Sequence, residues 1–287
     1  MEEKDKRECP KLISRKAIEI NGERHIERYS LPERLAHFAH LTALFILLVT
    51  GFKIYMGWDF MTYHSALYIH MMFAIVFMVA NWIVIPYNIV TTECPHCEIC
   101  EAGGIRGYLH RASHILRRYI FGPVDAKRIK QIMLNYLGKA PYPAYTVYDV
   151  KNRGYIDKLH PVTKFLLFFE GIGVALVFIS GIPLYHQQWA LLGLPIAEWI
   201  LMIGDIVGPY FNLGTLAFMR TVHLLMAYFF IIEVTIHVGI IELDPKIWKY
   251  HKAIFWTGKG DLCDLNYVDL VNVEKDKVLH VEKEIAE

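Results

Sequence analysis

The sequence predicts an all-α fold: a four-helix transmembrane bundle with both termini cytoplasmic and a long cytoplasmic loop between spans 2 and 3. Composition points that way first, since 54% of the 287 residues are apolar and the mean hydropathy is +0.29 in a chain that is 21% charged. The charges are also segregated. Uncharged runs cover Leu35 to Phe52, Phe60 to Thr92 and Gly171 to Ala197, and a fourth extends from Ile206 to Ile241 with only Arg220 and Glu233 inside it. Each holds the roughly 20 apolar residues that a helix needs to cross the hydrocarbon core. None alternates polar and apolar faces as a soluble bundle would over such lengths. Finally, 28 of the 30 Lys and Arg fall in residues 1–34, 91–164 and 242–287. Four spans place these three segments on one side, and an excess of Lys and Arg marks the cytoplasmic side.

Residues 1–32 form a mostly polar N-terminal segment, and the first apolar run after it is a full span rather than a cleavable signal peptide. The membrane domain covers 33–241, with spans predicted near 33–56, 65–90, 163–184 and 215–241. Between spans 2 and 3, residues 91–162 make a cysteine-containing cytoplasmic loop. Within it, Arg106, Arg111, Arg117, Arg118, Lys127, Arg128 and Lys130 stand among aromatics, a composition suited to one or two helices lying on an anionic inner leaflet. Tethering to the membrane at both ends argues against nucleic acid as a partner. Residues 185–213, on the outer side, are nearly free of charge and rich in Trp, Leu and Ile, which suits a short interfacial helix or a docking face. The tail 242–287 turns polar at ELDP. These features place the chain as a multi-pass protein of the cytoplasmic membrane of a prokaryote.

Histidines inside spans are costly and mark function. His223 and His237 are 14 residues apart in span 4, which sets them about 21 Å apart along a helix and close to one azimuth. One lies near each membrane face. By depth, His70 in span 2 pairs with His223 on the outer side, and His37 in span 1 pairs with His237 on the inner side. Each pair suits the axial ligation of one haem iron in a b-type electron carrier with no open position for oxygen. His40, one turn beyond His37 on nearly the same face, competes with it. Arg34 lies one turn before His37, where it could meet a haem propionate, and Arg220 stands in the same relation to His223.

The segments ERYSLPERLAH, YIH, KRIKQIMLNYLGKAP through KLHPVTKFLLFF, and RTVHLLMAYFFIIEVTIH resemble the dihaem cytochrome b subunits of membrane-bound formate dehydrogenase, nickel-iron hydrogenase and thiosulfate reductase. The resemblance covers roughly residues 27–241, and the histidine spacing in span 4 is its most specific element. It implies a four-helix cytochrome b that anchors an iron-sulfur subunit and a catalytic subunit and passes electrons through two haems to or from quinone. His37 and His237 would then ligate the cytoplasmic-side haem, and His70 and His223 the haem nearer the outer face. The formate branch often carries an asparagine just before span 3, at the quinone pocket. Here that place holds His160.

Quinone reduction takes two electrons and two protons, so its site needs titratable groups that reach water. His160, Glu170 about two turns inside span 3, and Asn152 in the preceding loop are the candidates, and Glu233 one turn before His237 is a further buried acid. Each also fits a bland role as a hydrogen-bonding or surface residue.

The family resemblance does not account for ECPHCEICEAGG in the central loop. Cys94, Cys97 and Cys100 form two overlapping C-x-x-C steps that could converge on zinc or an iron-sulfur cluster, with a fourth ligand from His96, His110, His114, Cys9 or Cys263. On a reducing side of the membrane a metal is favoured over disulfides. A redox-inert or partner-docking loop is the other reading. Two further functions fit the spans: a haem-free transporter or proton relay using buried His and Glu, and a purely structural anchor that would tolerate loss of His70 or His223.

Overall fold

The computed structural model describes residues 18–20, 23–92, 104–107, 109, 119–149, 154–243, 248–261 and 268–271. In chain order the elements are β1 (Ile18–Ile20), β2 (Glu23–Glu27), α1 (Leu31–Met56), α2 (Tyr63–Val79), α3 (Ile85–Thr92), α4 (Pro123–Tyr136), β3 (Thr146–Asp149), β4 (Gly154–Asp157), α5 (Pro161–Tyr185), α6 (Ile196–Val207), α7 (Thr215–Leu243), α8 (Trp248–Lys252), β5 (Lys259–Asp261) and β6 (Val268–Val271). Two compact units result. One gathers Met1–Leu35, Tyr87–Phe165 and Lys246–Glu287, and the other gathers Ala36–Pro86 and Leu166–Pro245.

The second unit is the helical bundle. Among the described residues, four helices are long and apolar enough to cross a membrane: Leu31–Met56, Tyr63–Asn88, Pro161–Tyr185 and Thr215–Gly239. They match the predicted spans to within a few residues. Local chemistry sets their starts. At α1, the Ser30 and Glu33 side chains exchange hydrogen bonds with each other's backbone N–H groups (Ser30 N–H to Glu33 Oε2, 2.7 Å), the reciprocal cap that an S-x-x-E sequence encodes. At α2, Thr62 Oγ1 accepts from the Ser65 N–H at 3.1 Å. Span 2 is not uniformly α. Between α2 and α3 it widens into a π-turn over Ala80–Val84, just before Pro86, whose ring would clash with the carbonyl four residues back in a regular helix.

The core of the bundle is a layer from all four spans. Ala43 and Leu44 of α1, Phe77 of α2, Val174 of α5 and Phe230 of α7 are buried together, and the Phe77 and Phe230 rings meet edge to face with centroids 5.9 Å apart. Gly173 lets this layer close. A Cβ there would sit 3.0 Å from the Phe229 ring and 3.3 Å from that of Phe230.

The first unit contains two three-stranded sheets, ordered β1-β2-β5 and β4-β3-β6, that the sequence analysis does not anticipate. β2 pairs antiparallel with β5, and β3 pairs parallel with β6. Strands of three to five residues are too short to show period-two alternation, and each sheet joins segments far apart in the chain. Helix α4 is capped by Asp125, whose carboxylate accepts from the Gly122 N–H at 3.1 Å.

Charge is buried in this unit only in company. Lys164, 2% exposed, donates to Asp125 at 3.2 Å and to Asp157 at 2.9 Å, and Arg128 also meets Asp157 at 2.9 Å. Lys158 pairs with Glu33 at 2.7 Å. Removing one partner of such a set leaves uncompensated charge. Lys164→Met is therefore expected to lower unfolding stability by about 3 kcal/mol, measured as a shift of the unfolding midpoint in detergent, while Lys130→Met on the exposed face of α4 leaves it unchanged.

Candidate functional site

Within the bundle, His70 of α2 and His223 of α7 face one another with ring centroids 6.2 Å apart and planes at 53°. Each ring is held by a hydroxyl of the adjacent helix. Thr50 of α1 donates its hydroxyl hydrogen to the Ile46 carbonyl at 2.6 Å, so its oxygen accepts from His70 Nδ1–H at 3.0 Å. Ser180 of α5 likewise donates to the Leu176 carbonyl at 2.7 Å and accepts from His223 Nδ1–H at 3.1 Å. His70 also bonds the backbone of Leu47, and His223 that of Val177. With Nδ1 protonated, Nε2 is the lone-pair nitrogen of each neutral ring. Gly51 and Gly181 follow the two hydroxyl residues. A Cβ at Gly51 would come 3.3 Å from His70 Cε1, and one at Gly181 would come 3.2 Å from His223 Cε1, so each imidazole lies across a glycine.

The two rings fit a shared metal. Metal–imidazole bonds of about 2.0–2.1 Å place the centroids of two rings on one ion roughly 6 Å apart, near the observed separation.

A second polar layer lies about ten residues along each span, or roughly 15 Å by helical rise, beyond the Phe77–Phe230 layer. His40 Nδ1 meets Asn81 Oδ1 at 3.2 Å, while Asn81 donates its amide N–H to the Phe77 carbonyl at 2.9 Å. His40 Nε2 faces the Glu170 carboxyl at 3.4 Å, and its ring packs on Phe77 at 4.9 Å. Glu233 of α7, 8% exposed, lies within electrostatic range of Glu170, as His237 does of His40. Again each of the four spans contributes. The π-turn carries Asn81, as such turns often carry functional groups.

The other residues singled out from sequence are placed as follows. His37 and His237 are partly buried in the same bundle. Arg220 is exposed on α7. Arg34, in the first unit, donates to the carbonyls of Ile254 and Phe255, the latter at 3.2 Å, and to that of Trp256; these belong to a π-turn over Ala253–Thr257. Its guanidinium thus closes the end of the α8 helical segment, a role not foreseen for it. His160, also in the first unit, accepts at Nδ1 from the Val162 N–H at 3.3 Å. Its Nε2–H therefore donates to the Tyr142 oxygen at 2.9 Å, and the Tyr145 ring meets it edge-on at 4.9 Å. Asn152, Cys94, Cys97, Cys100, Cys9, Cys263, His96, His110 and His114 lie outside the described residues.

Sequence reasoning missed Thr50, Ser180 and Asn81. A signal existed for the first two, because VTG in span 1 and ISG in span 3 repeat a hydroxyl–glycine pair at matching depth. Asn81 had none beyond being an amide in an apolar run.

The chain is 45% identical over 245 residues to the F420 non-reducing hydrogenase II cytochrome subunit of Methanosarcina mazei, an alignment covering 85% of this chain and 86% of that one. No family profile and no solved structure matches.

The closeness of the central layer gives a direct test. Gly173→Val is expected to cost about 1–3 kcal/mol through overpacking against Phe229 and Phe230, whereas Gly171→Val, where a Cβ meets nothing within 4 Å, stays within the measurement error of the same detergent unfolding curve.

Proposed function

The chain belongs to the family of hydrogenase cytochrome subunits, and from that premise we propose that it carries electrons through two b-type haems between an iron-sulfur partner subunit and the quinone pool. The observation that carries this reading is the facing pair His70 and His223, each ring fixed at Nδ1 by a hydroxyl of the neighbouring helix. His70 and His223 would hold a haem iron there, which would supply one-electron transfer. The chain's residues do the rest. His70 and His223 hold the outer haem, with Gly51 and Gly181 leaving room for the imidazole planes, and His37 and His237 hold the inner one. His40 remains the competitor of His37: its ring nitrogens meet Asn81 and Glu170, and it lies within electrostatic range of His237. Arg220 is the proposed propionate contact of the outer haem. Arg34 is the corresponding candidate at the inner haem.

Quinone chemistry also needs protons. His160, Glu170 and Asn152 are the proposed contacts, the His160 ring being held in place by Tyr142 and the Val162 N–H. Cys94, Cys97 and Cys100 are proposed to hold zinc or an iron-sulfur cluster. The substrate reaction takes place in a catalytic partner subunit, and the loop 91–162 with both termini faces the cytoplasm of a prokaryote. Strand pairing of the N- and C-terminal segments in one unit supports their sharing a side.

One observation favours a second reading. His40, Asn81, Glu170 and Glu233 form a polar layer drawn from all four spans, which a haem-free proton relay or transporter would also use. A dithionite-reduced minus oxidised spectrum of the purified protein, with haem counted per chain, separates them: two b-type haems are expected, and none in a folded, haem-replete preparation would leave the proton relay. Among variants, His70→Ala and His223→Ala should each lose one haem and His37→Ala or His237→Ala the other, with His40→Ala keeping both. A protein that retains two haems without His70 would refute the assignment of the outer site.

A further inference from the structure

The hydroxyls of Thr50 and Ser180 have no part in the ligand set, yet they are the groups that fix its geometry. Both are nearly inaccessible, 2% and 1% exposed. Both donate to the carbonyl four residues back, at 2.6 and 2.7 Å, and that bond leaves an oxygen lone pair for an imidazole Nδ1–H, at 3.0 and 3.1 Å. The next residue is in each case the glycine across which the same imidazole lies. Two helices that are not neighbours in sequence have therefore built the same device, one for each ring of the facing pair. A back-bonding hydroxyl is common in apolar helices and by itself means nothing. Thr221 and Thr235 make the same bond to Ala217 and Ile231, at 2.9 and 2.7 Å, on exposed faces of α7. What sets Thr50 and Ser180 apart is the imidazole on the other lone pair.

We propose that Thr50 and Ser180 are positioning residues that set both the orientation and the electron-donor strength of the two imidazoles, and so the reduction potential of the cofactor they hold. The proposal rests on the haem reading above. A metal-bound imidazole whose remaining N–H is bonded to an acceptor is fixed in tautomer and is more basic, which stabilises the oxidised metal. Hydrogen bonding around the ligands is one of the levers by which a protein sets a haem potential. Deleting the hydroxyl removes one of each ring's two acceptors, the other being the Leu47 or Val177 backbone; this weakens the donor and leaves a less polar surrounding, and both changes favour the reduced, less charged state. The potential should therefore rise.

The test is an optically monitored redox titration of the haem-loaded protein in its complex, with haem counted per chain. Thr50→Val and Ser180→Ala are expected to keep two haems and to move the midpoint of one haem upward, leaving the other where it was. The conservative replacements Thr50→Ser and Ser180→Thr should return that midpoint to its wild-type value, and Thr221→Val and Thr235→Val should change nothing. Unmoved midpoints in Thr50→Val and Ser180→Ala would overturn the proposal, since a purely packing role predicts that result. If Thr50→Val loses one haem, Thr50→Ser decides: retention by the serine variant supports the hydroxyl's role, and loss in both shows that the methyl group, not the hydroxyl, is what matters. Failure of the underlying reading would look different, because His70→Ala would then retain both haems.

Discussion

A polar atom inside hydrocarbon must find its partner within the protein, because no water is there to supply one. Everything in the bundle follows from meeting that constraint. Each span brings one polar side chain to each of two levels, Thr50, His70, Ser180 and His223 at one and His40, Asn81, Glu170 and Glu233 at the other, and Thr50, Ser180 and Asn81 bond both a carbonyl of their own helix and an imidazole of a neighbouring one. The helices pack in the register that makes these bonds. Glycines at 51, 173 and 181 then admit the rings that the register brings close, since a side chain at any of them would push the neighbouring helix away. Between the levels Ala43, Leu44, Phe77, Val174 and Phe230 form a buried apolar cluster.

The first unit answers a different demand with the same logic. Among its described residues the lysines it buries are paired with acids, Lys164 with two aspartates and Lys158 with Glu33. Arg28 reaches the Thr146 hydroxyl at 3.2 Å and lies over the Tyr155 ring at 5.4 Å, so one side chain ties the N-terminal segment to strands β3 and β4. Gly258 serves the same junction. Its φ of +68° and a Cβ position 2.6 Å from the Tyr29 carbonyl leave room for no other residue.

The long apolar runs made the four spans legible from sequence, because a helix in lipid satisfies its own backbone and needs nothing from elsewhere in the chain. The pairing of His70 with His223 was legible for a related reason: depth in an antiparallel bundle is counted along each helix. What the sequence hid is what depends on contact across it. The sheets join residues 18–27 with 259–261 and residues 146–157 with 268–271, and no local pattern announces such partners. Arg34 was read from its distance to His37 along the helix, and the carbonyls of Ile254, Phe255 and Trp256 that it meets lie some 220 residues further along the chain, beyond any local pattern. Asn81 and Thr50 looked like incidental polar residues because their meaning lies in the imidazole opposite.

The edge-to-face Phe77 and Phe230 pair, with Leu44, Val174 and Ala43 around it, separates the two polar levels by a dry septum. An electron crosses such a gap by tunnelling, for which packed hydrocarbon is an adequate medium, whereas a proton needs an unbroken file of hydrogen-bonding groups, which these five side chains do not supply. The same five side chains would then act as a rectifier of charge type, passing one carrier of a redox reaction and holding back the other. On the proposed reading, in which electrons pass between the two levels, that selectivity would keep the transfer from being short-circuited by a proton leak.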